Sequence, residues 1–195
     1  MKSLTHEYQE YIFIAEPEQD HRNRSVISFS WVGYCYISKT ELVAYGKISL
    51  TKTQDVSVKF DQIFSGLTEV CLKHKPSVAI IEQSVYIQNF QTSRIISYII
   101  GYTWGVLSRH CEKVIDINPM LWKRGIGYVN ISKNDKERIK NDKSKGSFES
   151  KKKKERKDRV NKIVLKHFPI EKIDDDDIVD SIGIALWYHL MVGKK

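Results

Sequence analysis

Cysteine is scarce in this chain: Cys35, Cys71 and Cys111 are odd in number, far apart and set among apolar neighbours. That argues against a disulfide scaffold or a cysteine-built metal knuckle and predicts reduced thiols in a core. Long apolar runs are missing as well. The longest, IISYIIGYTWGVL at 95–107, falls short of the roughly 18 residues that a membrane span needs and is interrupted by glycine, so it predicts a buried helix and no membrane partner. The opening MKSLTHEYQEY has no apolar stretch of the kind export signals carry, from which a cytoplasmic location is expected. Acids are the deficient charge, 24 against 32 Lys and Arg, for a net +8.

That excess is local. Between Lys133 and Lys166 stand fifteen Lys or Arg against six Asp or Glu, a net +9, while the remaining 17 bases and 18 acids leave −1. Such a stretch is a solvated insertion, a polyanion-binding surface, or both. We expect one domain over 1–195, long enough to bury its own core, with a basic, flexible insertion at about 130–154.

Periodicity supplies the element order. YIFIAE (11–16), SVISFSWVGYCYI (25–37) and ELVAYGKISL (41–50) read as strands, the last two a hairpin across the short turn SKT. Helical spacing of Val58, Ile63, Leu67, Val70 and Cys71 predicts a helix between Asp55 and Lys75, ended by Pro76. SVAIIEQS (77–84) is apolar without alternation, as a parallel strand covered on both faces is. A helix over 92–111, a strand over 113–118 and helices at about 155–167 and 177–191 complete an α/β fold with a mixed sheet, three antiparallel strands followed by parallel ones, flanked by helices.

Acids fall where such folds place chemistry. Glu16 ends the first strand and Glu82 the fourth, while IDDDDIVDSIGIALW (173–187) sets Asp177 and Asp180 at the start of the last helix. Residues three apart on a helix share a face, so these two carboxylates lie side by side and repel unless a cation intervenes. A helix N-terminus favours acids by about 0.3 to 1 kcal/mol, which accounts for some of the five aspartates. A metal site accounts for others, and an all-oxygen donor set selects Mg²⁺ or Mn²⁺.

FIAEP, AIIEQS and DxxDSIGIA, in this order, resemble the RuvC-type Holliday junction resolvases of the ribonuclease-H-like superfamily, a group with bacterial, phage and poxvirus members. The likeness runs through VGYCYISKTELVAYGKISL, through KPSVAIIEQSVYIQNFQTSRIISYIIGYTWGVL with its GxxxGV helix, and through WKRGIG. It implies a ribonuclease-H-like fold and an endonuclease that hydrolyses phosphodiesters in branched DNA, four-way junctions above all, with two Mg²⁺ ions per site for which Mn²⁺ can substitute. It further implies that Glu16, Glu82, Asp177 and Asp180 are the catalytic metal ligands.

Tyr86 and Phe90, in the loop after Glu82, match the position of an aromatic wedge that enters the junction, against the plain alternative that they pack the loop. Lys123 and Lys157 match basic positions near the scissile phosphate, against solvated lysines. Two symmetric nicks imply a homodimer, with the 92–111 helix as the expected interface, in a bacterial or virus-infected cell. The chain departs from the family at its first acid, where Glu stands for Asp, the turn before Gly33 is longer, and Glu18 and Asp20 compete with Glu16. It departs again in the basic insertion. A broader flap, fork or RNA–DNA hybrid nuclease, and a catalytically inactive nucleic-acid-binding module, are the alternatives.

Overall fold

Strand β4 (Val78–Glu82) is buried along its whole length, and the architecture follows from what covers its two faces. In the computed structural model, which describes residues 10–14, 31–38, 41–51, 55–83, 90–171, 173 and 175–192, Val78 and Ile80 point into one apolar cluster and Ala79 and Ile81 into another. Two-sided cover is why the strand shows no alternation of polar and apolar residues. Around it run β1 (Glu10–Ile14), β2 (Trp31–Ser38), β3 (Glu41–Ser49) and β5 (Lys113–Ile117), in the order β3-β2-β1-β4-β5. The β1–β2 and β2–β3 pairs are antiparallel, and β4 lies parallel to both β1 and β5.

Helices α1 (Val56–His74) and α2 (Phe90–Leu107) cover the face to which Ala79 and Ile81 contribute, through Ile63, Leu67, Ile96 and Ile99. Helix α1 starts where the Asp55 carboxylate accepts the Ser57 N–H at 2.9 Å, and stops at Lys75, whose left-handed φ of 49° lets its N–H reach the Cys71 carbonyl at 2.7 Å. Such a C-terminal turn followed by Pro76 closes a helix, as the sequence predicts. The opposite face is covered by α6 (Asp176–Val192), with α3 (Pro119–Gly125) and α5 (Phe148–His167) beside it. The strands and helices make a mixed α/β fold, and no helix among the described residues is long and apolar enough to cross a membrane.

Two parts differ from the sequence expectation. The stretch expected as a flexible basic insertion at about 130–154 forms helix α4 (Lys133–Asn141) and the first turns of α5, which begins at Phe148 rather than near 155. Local charge density hides the reason: Asp135 caps α4 and pairs across to α5, and Asp142 pairs with Lys151 of α5. Helix α3 is also new; Asn118 caps it by accepting the Met120 N–H at 2.9 Å, and Pro119 takes the first turn, where its missing N–H costs nothing. Strand positions 25–30 and Glu16 lie outside the described residues.

The site-bearing face is held by two reciprocal glycine–tryptophan contacts. A Cβ on Gly183 of α6 would come within 2.6 Å of the Trp122 ring, and one on Gly125 of α3 within 2.1 Å of the Trp187 ring. Trp122 has no exposed surface, so its ring has nowhere to retreat. We predict that Gly183→Ala costs about 1 to 3 kcal/mol, the range for overpacking a core, at roughly 2 to 4 °C of melting temperature per kcal/mol for a chain of this size. Thermal unfolding followed by circular dichroism measures it; an unchanged melting temperature would refute the close packing of α6 on Trp122.

Candidate active site

Strand parity puts Glu82 on the working side. It shares the direction of Val78 and Ile80, toward α6, and sits at the end of β4 that opens beside the α6 N-terminus. The position is buried, 6% exposed, and the Trp122 indole N–H donates to Glu82 Oε1 at 2.8 Å. A buried carboxylate without such a partner would carry a heavy desolvation cost. Next to it the Gln83 N–H donates to the Ile117 carbonyl at 2.9 Å and the Gln83 amide to Asp116 at 2.7 Å, so the strand end is tied across to β5.

The aspartates of 173–187 divide by position. Asp175 caps α6, its carboxylate accepting the N–H groups of Asp177 and Ile178 at 3.1 and 3.2 Å. Asp176 pairs with Lys157 of α5. Asp177, buried at 7% exposure, and Asp180, partly exposed, face the cleft that holds Glu82. Asp174 lies outside the described residues. Asp175 is thus a cap, as acids at a helix N-terminus are expected to be, and Asp176 an ion-pair partner.

Lysines already stand among these carboxylates. Lys47, on β3, reaches Asp175 Oδ2 at 2.5 Å and Asp177 Oδ2 at 2.9 Å, and Lys123, on α3, lies 3.5 Å from Asp180 Oδ2 and 4.7 Å above the centre of the Trp122 ring. Burial raises the Asp180 carboxyl from its ordinary 3.8 to about 7; Lys123 opposes the rise, while the charges of Glu82 and Asp177 add to it. The cleft has a volume of about 690 Å³, and Tyr128, Lys153, Arg156 and Lys157 form its far side. It is therefore an acidic floor facing a basic wall, the two joined where Lys157 pairs with Asp176.

The donor set suits a hard divalent cation. Glu82, Asp177 and Asp180 are all oxygen donors and repel one another, which is the chemistry that Mg²⁺ or Mn²⁺ relieves. As the side chains stand, no three His, Cys, Asp or Glu among the described residues converge closely enough to hold an ion; lysine ammonium groups take up two of the three carboxylates.

Of the residues singled out in the sequence, Glu82, Asp177, Asp180, Lys123 and Lys157 line this one cleft. Phe90, at the first turn of α2, is 72% exposed and is not among the residues lining it. Glu16, Glu18, Asp20 and Tyr86 lie outside the described residues. Lys47, Trp122 and Arg156 were not foreseen. Nothing local marks Lys47 as a partner for Asp177, or Trp122 as a partner for a residue 40 positions away.

No protein-family model matches the sequence, and no curated protein does. Solved structures do match. The chain is similar to Thermus thermophilus RuvC in complex with a Holliday junction substrate (TM-score 0.67, 10% identity, covering 95% of this chain and 96% of that one) and to Thermus thermophilus RuvC alone (0.65, 12%, 95% and 96%). It is also similar to the yeast mitochondrial Holliday junction resolvase Ydc2 (0.51, 14%, 95% and 80%). At these identities the likeness establishes the fold alone, which is that of Thermus thermophilus RuvC.

The raised Asp180 carboxyl has a consequence for stability. Between pH 3.8 and about 7 the folded chain keeps a proton that the unfolded chain has released, so this group's contribution to stability falls as pH rises through that window. In a chelating buffer, Asp180→Asn is expected to flatten the decline of melting temperature between pH 5 and pH 8 relative to the parent. Equal slopes for parent and variant would show that Asp180 titrates normally.

Proposed function

We propose that this chain is a metal-dependent, structure-selective DNA endonuclease that resolves Holliday junctions and related branched DNA. One observation carries the reading: in a RuvC-type fold, Glu82, Asp177 and Asp180 share a cleft whose opposite wall is cationic. Glu82, Asp177 and Asp180 would hold two Mg²⁺ ions, or Mn²⁺ in their place, together with one acid of the EPEQD stretch, Glu16 before Glu18 or Asp20. Bound there, divalent ions generate a nucleophilic water and neutralise charge on the leaving oxygen.

The chain's own residues do the positioning. Trp122 fixes the orientation of Glu82 through its indole N–H, so the carboxylate meets an incoming ion without first losing rotamer entropy. Lys47 and Lys123 neutralise Asp177 and Asp180 as they stand, and would lie close to substrate phosphate if metal ions took their place on the carboxylates. Lys123 and Lys157, on opposite sides of the cleft, would contact the phosphates flanking the cut. Exposed Phe90 would stack against an unpaired base at the junction centre.

Symmetric nicking of a two-fold junction calls for two sites related by a two-fold axis, hence a homodimer. The outer face of α2 supports that state, because it exposes Tyr98 and leaves open space over Gly101 and Gly105, so that a second helix can approach closely.

One observation favours a second reading, a cleft that binds branched DNA without cutting it: Lys47 and Lys123 occupy the carboxylates as they stand. Labelled four-way junction, flap, duplex and RNA–DNA hybrid, incubated with Mg²⁺, Mn²⁺ or chelator, separate these. Paired symmetric nicks in the junction are expected; scattered cuts indicate a broader nuclease of this fold, and binding without cutting selects the second reading. Glu82→Gln is expected to bind junction normally and to lose more cleavage than the roughly 10- to 100-fold that loss of a supporting partner costs; cleavage at the parent rate would sink the assignment. Lys47→Met is expected to bind Mn²⁺ about tenfold more tightly, a gain of ~1.4 kcal/mol, and to melt lower than the parent in chelator. Manganese affinity equal to the parent's, measured by titration calorimetry, would show that Lys47 does not compete.

A further inference from the structure

Helix α5 is longer than the core requires. Its 20 residues span about 30 Å at 1.5 Å per residue, yet its buried residues, Val160 and Val164, lie in the C-terminal half. The other half, with Lys151 to Lys154, Arg156 and Lys157, projects past the cleft, and α4 lies against it. From Lys133 to Arg159 there are thirteen Lys or Arg against six Asp or Glu, a net +7. That is a strongly self-repelling hairpin.

It is nevertheless built to a definite shape. Ser132 and Asp135 form a reciprocal cap at the start of α4, and Ser147 caps α5. Ile139 is buried beneath α4. Between the two helices Arg159 meets Asp135 at 2.9 Å and Arg138 meets Glu155 at 3.0 Å, and within α5 Arg159 also meets Glu155 at 3.1 Å. Arg159 also donates to the carbonyls of Val129 and Asn130, anchoring the hairpin to the chain that leaves α3. The Ser132 hydrogen bonds and Arg159 hold the Asp135 carboxyl well below its ordinary range, so the network stays charged at neutral pH.

Most of the acids are thus engaged inside the hairpin. Asp142 pairs with Lys151 and Glu149 with Lys152 as well. The cations outside this network form a continuous path. Lys153, Arg156 and Lys157, at helical spacing, face the acidic floor of the cleft. Lys154 shares a side groove with Lys153 and Lys157 and also lines a groove of about 670 Å³ on the far side of α5, where Lys145 stands with Asp142, Glu155 and Asp158. Lys140 and Lys143 are exposed. A path of cations that starts at the candidate cleft and leads round α5 fits a regularly spaced polyanion, and duplex DNA supplies one negative charge about every 1.7 Å of axis.

We propose that the α4–α5 hairpin is a second phosphate-binding surface that grips the backbone of the duplex arm leaving the cleft, independently of base sequence. From Lys157 to the start of α5 is about 14 Å along the helix, so the grip falls roughly four base pairs from the cut at 3.4 Å per step. The proposal rests on the reading of the cleft as a DNA site.

The test uses the full chain carrying Lys140→Gln, Lys143→Gln, Lys145→Gln and Lys154→Gln together. None of these residues lies in the acidic floor or in the Asp135–Arg138–Glu155–Arg159 network, so helix content and melting temperature are expected to match the parent. Binding to a four-way junction is measured in chelator from 50 to 200 mM salt. The slope of log affinity against log salt is expected to be shallower by about 0.9 for each phosphate that the variant no longer neutralises, roughly two to four in all for four lysines. Cutting the arms from about 15 to 3 base pairs is expected to erase the difference between parent and variant. A slope equal to the parent's, or a difference that survives on short arms, overturns the proposal. A parent that nicks junctions beside a variant with an unchanged slope overturns the hairpin alone; a parent that never nicks beside a variant with the shallower slope overturns the nuclease reading alone.

Discussion

Everything at the candidate site depends on Trp122, a side chain with no exposed surface that is wedged between the end of β4 and helix α6. Its ring fills the space that Gly183 leaves on α6, which brings that helix down onto the sheet. Its N–H is committed to Glu82. One residue thereby sets both the distance between the carboxylates of strand and helix and the orientation of the strand's carboxylate. Interiors are packed to crystal density, so such a wedge transmits position without slack. Trp187, packed over Gly125, repeats the arrangement one turn further along α6 and keeps α3, with Lys123, at the same height.

That spacing creates the electrostatics. Three carboxylates share a partly dry cleft, and a chain could reduce their repulsion by separating them, by protonating one, or by supplying cations. Here the packing forbids separation, Asp180 takes up a proton more readily than usual, and Lys47 and Lys123 supply positive charge from two further elements. The charge balance is therefore met largely by Lys47, Lys123 and Lys157, and most of the positive surplus of the chain lies outside the site.

Much of this was legible in the sequence, and what was not has a physical reason. The strand β4 and the helices α1, α2 and α6 follow from apolar period, and the grouping of Glu82 with Asp177 and Asp180, which line one cleft, was implied by the family resemblance. Lys47 and Trp122 were hidden because their partners lie far off in sequence: a lysine on an edge strand and a tryptophan after a proline look ordinary until the sheet and α6 are assembled. Helices α4 and α5 were hidden by composition. Lysine density argues for a solvated loop when residues are counted, but order depends on which acid faces which base. In Asp135, Arg138, Glu155 and Arg159 the partners are chosen across two helices, at separations no local window covers.

The same reasoning separates the two kinds of cation in the molecule. Lys47 and Lys123 are pinned to carboxylates in a partly buried cleft, where ion pairing is strong because water screens it little. Lys140, Lys143, Lys145 and Lys154 are not held by the hairpin's own ion pairs, and their self-repulsion is a standing cost. Here Asp135 and Glu155 join α4 to α5, and the exposed lysines outnumber the exposed acids, starting beside the cleft wall formed by Arg156 and Lys157. The acids thus set the hairpin's shape and the lysines set its field, and that field is continuous with the one that faces Glu82, Asp177 and Asp180.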